Sequence, residues 1–170
     1  MLLHLGAGAY FDVREHRIPN WWVILGIGNG LILTGLEAGQ LSSPGSFLKE
    51  PAFFLFRMLL VTAVFFVLFL FRMIGAGDIK MAALICGYLG LSAGASAIFY
   101  GFLIGAFWSL IKLMGSGGFI SRFSYLLTYI RYVIQTGKIT AYYHPERDGY
   151  DMVIPFGLCL FLGTLLTLVW

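Results

Sequence analysis

Two aspartates could do chemistry, because each lies where a long apolar run meets a short polar gap. Asp12 ends the first apolar run, and Asp78 begins the fourth. A carboxylate this close to hydrocarbon is costly, so it normally has a partner or a function. Two carboxylates brought close together cannot both ionise easily, and one of them keeps a proton. Such a pair can act as general acid and general base on a water molecule, as aspartyl hydrolysis of a peptide bond requires.

The residues around both aspartates suit such a site. Gly75 and Gly77 flank the second aspartate, and without side chains they permit a tight backbone and leave room for a peptide. The charge of Lys80 could act on the same aspartate, which would also lie near a helix N-terminus. Pro19 and Asn20 are expected to begin the second helix and to set the path of the chain after the first aspartate.

Two simpler interpretations of these aspartates remain open at this point. Asp12 could pair with Arg14 or Arg17 at the membrane interface. Asp78 could be an ordinary N-cap, since aspartate is a favoured residue at that position. A Gly-x-Gly-Asp sequence is short and weak evidence by itself, so the residues alone do not choose between a dyad and these interpretations.

Other site chemistries find little support in the chain. Cys86 and Cys159 both lie inside apolar stretches, and they indicate neither a metal cluster nor a disulfide framework. The net charge is +3, and the basic residues are spread thinly between apolar runs, so nucleic-acid binding is not expected. No serine or cysteine nucleophile has a credible set of partners. We therefore expect no metal and no cofactor.

The composition indicates an integral membrane protein. Hydrophobic residues make up 59% of the 170 residues and charged residues only 11%, against about 45–50% and about 25% in soluble domains. A membrane-spanning helix needs about 20 mostly apolar residues. Six candidate segments, the first of them short, lie at residues 1–11, 21–36, 51–74, 79–91, 94–114 and 152–170. The predicted fold is therefore all-α, with six transmembrane helices in a single domain over residues 1–170.

The basic residues predict the orientation of these segments, because lysine and arginine favour cytoplasmic gaps. Nine of the eleven basic residues fall in the first, third and fifth gaps: Arg14, Arg17, Arg72, Lys80, Lys112, Arg122, Arg131, Lys138 and Arg147. This bias places both aspartates at the cytoplasmic face of the membrane and both termini on the other side.

The longest polar gap contains its own periodic pattern. Between residues 119 and 134, apolar side chains recur at steps of three and four, with polar and basic residues between them. This pattern predicts an amphipathic helix lying in the headgroup layer, within a cytoplasmic or interfacial segment at residues 115–150. The helix could be a simple connector resting on the membrane, or a surface that helps to dock a membrane-bound substrate.

Taken together, the motifs resemble those of the prepilin peptidase family, the type IV leader peptidases among the Gly-x-Gly-Asp membrane aspartyl proteases. Residues 11–20 resemble the family's first motif, an aspartate followed by arginine and Ile-Pro-Asn. Residues 75–80, Gly-Ala-Gly-Asp-Ile-Lys, resemble the second and most specific motif. Residues 154–157, Ile-Pro-Phe-Gly, resemble a third and weaker one. The resemblance covers nearly the whole chain.

The resemblance implies a function and a set of site residues. Asp12 and Asp78 would be the catalytic pair, and the supporting residues would be those that match the two motifs: Gly75, Gly77, Lys80, Arg17, Pro19 and Asn20. Family members remove a short basic leader from prepilins or pseudopilins at the cytoplasmic membrane face, typically after a glycine, while the substrate's apolar stem stays in the bilayer. The reaction needs no metal and no covalent intermediate.

The sequence differs in one respect from the longer bacterial enzymes of this family, and the difference indicates which branch of the family it resembles. Those enzymes carry an N-terminal cytoplasmic segment with paired cysteines and also methylate the new N-terminus. The sequence lacks these cysteines, so it resembles the short form found in Tad/Flp pilus peptidases and archaeal preflagellin peptidases, and methyltransferase activity is not expected.

Two other classes of function remain as alternatives. In a small transporter, the two aspartates would form a proton or cation site within the helix bundle, although the third segment has no polar residues deep inside it. A non-catalytic subunit of a pilus or secretion assembly would need neither aspartate for chemistry.

Overall fold

The computed structural model describes residues 1–40, 46–71, 74–115 and 154–170, together with residues 124, 128, 131, 132, 134 and 135. All regular structure in the described residues is helical, which confirms the all-α prediction. Five helices have bounds within the described residues: α1 (Leu2–Glu15), α2 (Asn20–Gln40), α3 (Ser46–Leu70), α4 (Ala76–Gly115) and α5 (Phe156–Val169).

Three of these helices are long and apolar enough to cross a membrane: Asn20–Ala38 within α2, Lys49–Leu70 within α3 and Ala76–Lys112 within α4. The apolar side chains of α3 are largely exposed, among them Phe56, Leu59 and Val64, as expected of a helix that faces lipid. The chain is therefore a helical membrane protein.

The prediction of six membrane spans is not met. The first and last helices have 14 residues each, or about 21 Å at 1.5 Å per residue, against a hydrocarbon core of about 30 Å. The predicted segments 79–91 and 94–114 both lie in α4, and its two helical halves are separated at Gly90, so the predicted break between these segments is observed. The hydrophobic pattern identified where the helices lie and where α4 is interrupted, but it did not give the lengths of the first and last helices.

The two halves of α4 pack against each other, since a Cβ on Gly94 would lie only 2.7 Å from the Cα atom of Cys86, and the sharp turn between them is at Gly90. Its backbone angles are φ 82° and ψ 170°, in a region that is open essentially to glycine alone. Apart from the adjoining backbone, no atom of the described residues lies within 4 Å of the position that a Cβ would take at this residue. The bend is therefore a backbone feature that glycine permits, and side-chain packing does not impose it.

The first half of α4 is the centre of the helix packing. Its residues from Ile79 to Cys86 are buried, apart from Lys80. A helix that is apolar on all sides is normally surrounded by other elements. The buried side chains around it come from all the other helices: Leu5 and Ala9 of α1, Val23 of α2, Phe54 and Met58 of α3, and Leu160 of α5.

Glycines allow several of these helices to approach closely. A Cβ on Gly26 would meet His4 and Leu84, and a Cβ on Gly101 would lie 3.0 Å from the Cα atom of Leu160 in α5. Gly28 differs, because the space beside it is open. Close packing therefore explains some of the glycines in these segments and not others.

The chain divides into two compact units, one formed by residues Met1–Ile104 and Pro155–Trp170 and the other by Gly105–Ile154. Most of the predicted interfacial segment at residues 115–150 lies outside the described residues. The six described residues between 124 and 135 are helical and exposed, and the Thr128 hydroxyl donates a hydrogen bond to the Ser124 carbonyl at 2.8 Å. The role predicted for this segment and the single-domain assignment remain predictions.

Candidate active site

The first aspartate lies in the last turn of α1. The helix ends through His16, which adopts a left-handed conformation at φ 49° and ψ 30° and donates its backbone N–H to the Asp12 carbonyl at 2.9 Å. The Pro19 carbonyl then accepts bonds from the Trp22 and Val23 amides, at 3.1 and 3.4 Å. The second helix accordingly begins at Asn20, which confirms the expectation for these two residues.

The second aspartate lies in the first turn of α4. The helix begins at Ala76, so Asp78 is its third residue and not its N-cap. The Asp78 carboxylate accepts a hydrogen bond from the backbone N–H of Gly75, as an N3 side chain does in a capping box. A Cβ on Gly75 would lie 3.1 Å from Asp78 Oδ2, so the bare glycine backbone makes this close approach possible.

The two motifs lie against each other, although about sixty residues separate them in the chain. Ile18 packs on Gly77, where an added Cβ would lie 3.5 Å from the Ile18 Cβ. The Lys80 amino group donates a hydrogen bond to the Asn20 side-chain carbonyl. This is a different partner from Asp78, on which the sequence suggested that Lys80 would act. The lysine ties the start of α4 to the start of α2.

The same arrangement brings the two carboxylates together. Asp12 and Asp78 lie close enough to repel each other electrostatically, and both act on the buried sulfur of Cys159 in α5. Asp12 forms no ion pair with Arg14 or Arg17, all three being described residues. The first of these arginines lies 5.8 Å from the centre of the Tyr10 ring, and Arg17 is exposed. The interfacial ion-pair interpretation of Asp12 is therefore wrong.

The partner of Asp12 is the first turn of α5. The Gly157 backbone N–H donates to Asp12 Oδ2 at 2.7 Å, across 145 residues of sequence, and the Leu158 N–H also bonds to this carboxylate. Pro155, at the N-cap of α5, supplies no side-chain cap. The carboxylate takes its place, because the first N–H groups of a helix lack partners within the helix.

Burial and these hydrogen bonds act on Asp12 in opposite directions. Its side chain is only 8% exposed, and burial raises the pKa of this carboxyl, while the two α5 amides and nearby His16 partly offset the rise in pKa. A buried carboxylate without donors would be far more costly. The first turn of α5 therefore makes a charged group tolerable at this depth.

Sequence reasoning did not single out Gly157 as a site residue. The Ile-Pro-Phe-Gly stretch that contains it was noted only as a weak part of the resemblance. A backbone N–H donor cannot be recognised from residue type. The signal for this one was a helix that begins after Pro155 without a capping side chain and has a glycine in its first turn.

The arrangement has the parts needed for acid–base hydrolysis. Two carboxylates share a site at one end of three helices, and backbone amides donate hydrogen bonds to both of them. In the described part of the chain, no three His, Cys, Asp or Glu side chains gather in a way that could hold a metal ion. The groups present can move a proton to and from a water molecule.

Comparison with known protein families identifies the family to which this chain belongs. The sequence profile of the type IV leader peptidase family matches residues 1–110, a stretch that holds both aspartate motifs and amounts to well over half of the chain. Comparisons with curated proteins and with solved structures found no match. The chain therefore belongs to the type IV leader peptidase family, and this membership implies protease activity on prepilin-type substrates.

Proposed function

We propose that this protein is an aspartyl endopeptidase that uses Asp12 and Asp78 to remove the short leader of prepilin-like precursors. The observation that carries the proposal is the meeting of the two motifs, which delivers two remote carboxylates to one end of the helix bundle. Two ionised carboxylates repel each other, so placing them close together does not stabilise the fold. A catalytic requirement accounts for it.

The reaction follows from sharing one proton between the two carboxyl groups. The ionised aspartate removes a proton from water, and the water oxygen attacks the carbonyl carbon of the scissile bond. The protonated aspartate gives its proton to the leaving amine nitrogen as the C–N bond breaks. Water is consumed, the two products separate, and the proton gained by the first aspartate returns to the second to restore the pair.

The substrate proposed is a membrane-bound precursor with a basic N-terminal leader followed by an apolar stem. Cleavage would occur at the cytoplasmic face of the inner membrane, because the predicted gaps that hold both aspartate motifs also hold most of the chain's basic residues. The stem would remain in the bilayer, and the scissile bond would lie where α1 ends and α4 begins.

The other motif residues are proposed to position the pair. Asn20 and Lys80 join the two motifs by a hydrogen bond, and Pro19 ends the short connection that carries Ile18 onto α4. Arg17 is exposed on that connection, and its proposed role is to help set the local path of the chain. None of these residues needs to touch the scissile bond.

The test is cleavage of a precursor with a basic leader, a glycine before the scissile bond and an apolar stem, by purified protein in liposomes. Asp12→Asn and Asp78→Asn should each abolish leader removal while leaving the helical content and membrane insertion unchanged. The matched control is Glu15→Gln, which neutralises an exposed carboxylate three residues from Asp12 and should cleave at a rate close to wild type.

Two outcomes would count against the proposal. If either aspartate variant cleaves at a near-normal rate, the catalytic dyad is wrong. If the wild-type protein conducts protons or cations across the liposome membrane and does not cleave the precursor, the two aspartates belong to a transport site.

A further inference from the structure

We propose that the first turn of α5 belongs to the catalytic machinery: the Gly157 amide holds Asp12 in its ionised form, which makes Asp12 the general base and leaves the shared proton on Asp78. The inference rests on the proposed function, and it assigns separate roles to two carboxylates that the motifs alone treat alike. Gly157 is a positioning residue in this scheme, since it acts through Asp12.

The hydrogen-bond geometry supports the assignment. The Gly157 N–H reaches Asp12 Oδ2 at 2.7 Å, a short distance typical of a bond to a charged acceptor. The Leu158 N–H also reaches this carboxylate and shares its proton with the Pro155 carbonyl at 3.2 Å. Both amides lie at the positive end of the α5 dipole, which favours a negative charge beside it.

Position 157 needs glycine for steric reasons. A Cβ there would lie 2.9 Å from Asp12 Oδ2 and 3.1 Å from both Asp12 Cβ and Cγ. These distances are shorter than real Cβ atoms normally tolerate, so any other residue would displace the carboxylate from the amides. The absence of a side chain is thus a condition for the hydrogen bond.

The surroundings of the two carboxylates also favour a negative charge on Asp12 more than on Asp78. Asp78 accepts from one amide, that of Gly75 at the start of its own helix, and Asp12 accepts from two amides of a separate helix. Among the described residues, three titratable groups face Asp12: Asp78 from α4, His16 at the end of α1 and Cys159 from α5. His16 acts on the Asp12 carboxyl in the same direction as the two amides, and the proton shared by the pair is therefore assigned to Asp78.

This assignment gives each proton a defined path. Asp12 takes a proton from the attacking water, and Asp78 gives its own to the leaving amine nitrogen. After the products leave, Asp12 holds a proton and Asp78 does not, so one proton transfer from Asp12 to Asp78 through a water molecule restores the starting state.

The test is the dependence of kcat on pH for Gly157→Ala, measured per folded molecule. Losing a hydrogen bond to a charged group should move the acid limb of the profile to higher pH by about 1 to 2 units, because Asp12 then becomes protonated at a higher pH. The matched control is Gly163→Ala, two turns further along α5, where the added Cβ would strike backbone atoms of Ala97 and Gly101. The control should lower stability and leave the acid limb in place.

A second variant keeps the proposal testable if Gly157→Ala does not fold. Glycolic acid in place of Gly157, introduced by suppression during cell-free synthesis, replaces the N–H by an oxygen and adds no side chain. It should move the acid limb in the same direction. An unchanged limb in this variant, or an equal movement in Gly163→Ala, would overturn the role of the Gly157 amide. Cleavage by Asp12→Asn would instead overturn the proposed function.

Discussion

Replacing Gly90 with alanine should destabilise the protein through the backbone alone. The residue lies at φ 82° and ψ 170°, where a non-glycine residue is strained by about 1–3 kcal/mol. Alanine also restricts the unfolded chain, which returns about 0.4–1 kcal/mol. Beyond the adjoining backbone, the part of the chain that the structure describes places no atom within 4 Å of the Cβ position, so neither a clash nor a new contact there alters this balance. We expect a net loss of about 1–2 kcal/mol in the free energy of unfolding.

Gly28 provides the matched control. It also has open space beside it, but it lies inside α2, where alanine is preferred to glycine by about 0.5–1 kcal/mol. Gly28→Ala should therefore stabilise the protein by up to this amount. The two substitutions add the same methyl group to equally open positions, and they should change stability in opposite directions by a total of about 2 kcal/mol.

The assay is reversible unfolding in mixed micelles, followed by circular dichroism as the fraction of denaturing detergent increases. Equal effects of Gly90→Ala and Gly28→Ala would refute the reasoning, because the backbone conformation at the kink would then carry no cost. Cleavage should fall in the Gly90 variant as well. The kink joins the half of α4 that carries Asp78 to the half whose Gly101 packs on α5.

Two further substitutions test how the motifs are joined. Lys80→Met removes the hydrogen bond to Asn20 and should cost about 0.5–1.5 kcal/mol of stability, with only a few-fold loss of kcat. Asn20→Ala should add little further loss of stability in that background. A loss of cleavage by Lys80→Met as complete as that of Asp78→Asn would contradict a purely positioning role. Gly77→Ala should be at least as stable as wild type, because its Cβ would meet Ile18 at an ordinary 3.5 Å and alanine favours the helix by up to about 1 kcal/mol. A clear fall in the midpoint of thermal unfolding would contradict this packing.

The helices themselves were largely predictable from the sequence. Runs of apolar residues identified every described helix, and Pro19 correctly marked the start of α2 at Asn20. The lengths of the helices were not predictable in the same way. The break between the apolar runs 79–91 and 94–114 was predicted and lies at Gly90, but composition carries no signal for the backbone angles that this residue adopts.

The candidate site was also only partly predictable. The sequence indicated Asp12 and Asp78 because acidic residues beside hydrocarbon are rare and costly. It suggested arginine as a partner for the first and an action of Lys80 on the second. The structure pairs Lys80 with Asn20 instead. Nearness in sequence favours local ion pairs, whereas helix packing places the start of α2 beside Lys80 and the start of α5 beside Asp12, which are distant in sequence.

The sequence by itself determined that this is a helical membrane protein, and the residue types of its motifs determined the family to which it belongs. Only the tertiary structure decided that the Asp12 carboxylate is held by amides of α5. Every residue except proline carries a backbone N–H, so the donor leaves no mark in the sequence. It becomes specific when helix packing leaves one uncapped N-terminus facing one buried carboxylate, with no side chain at Gly157 to separate them.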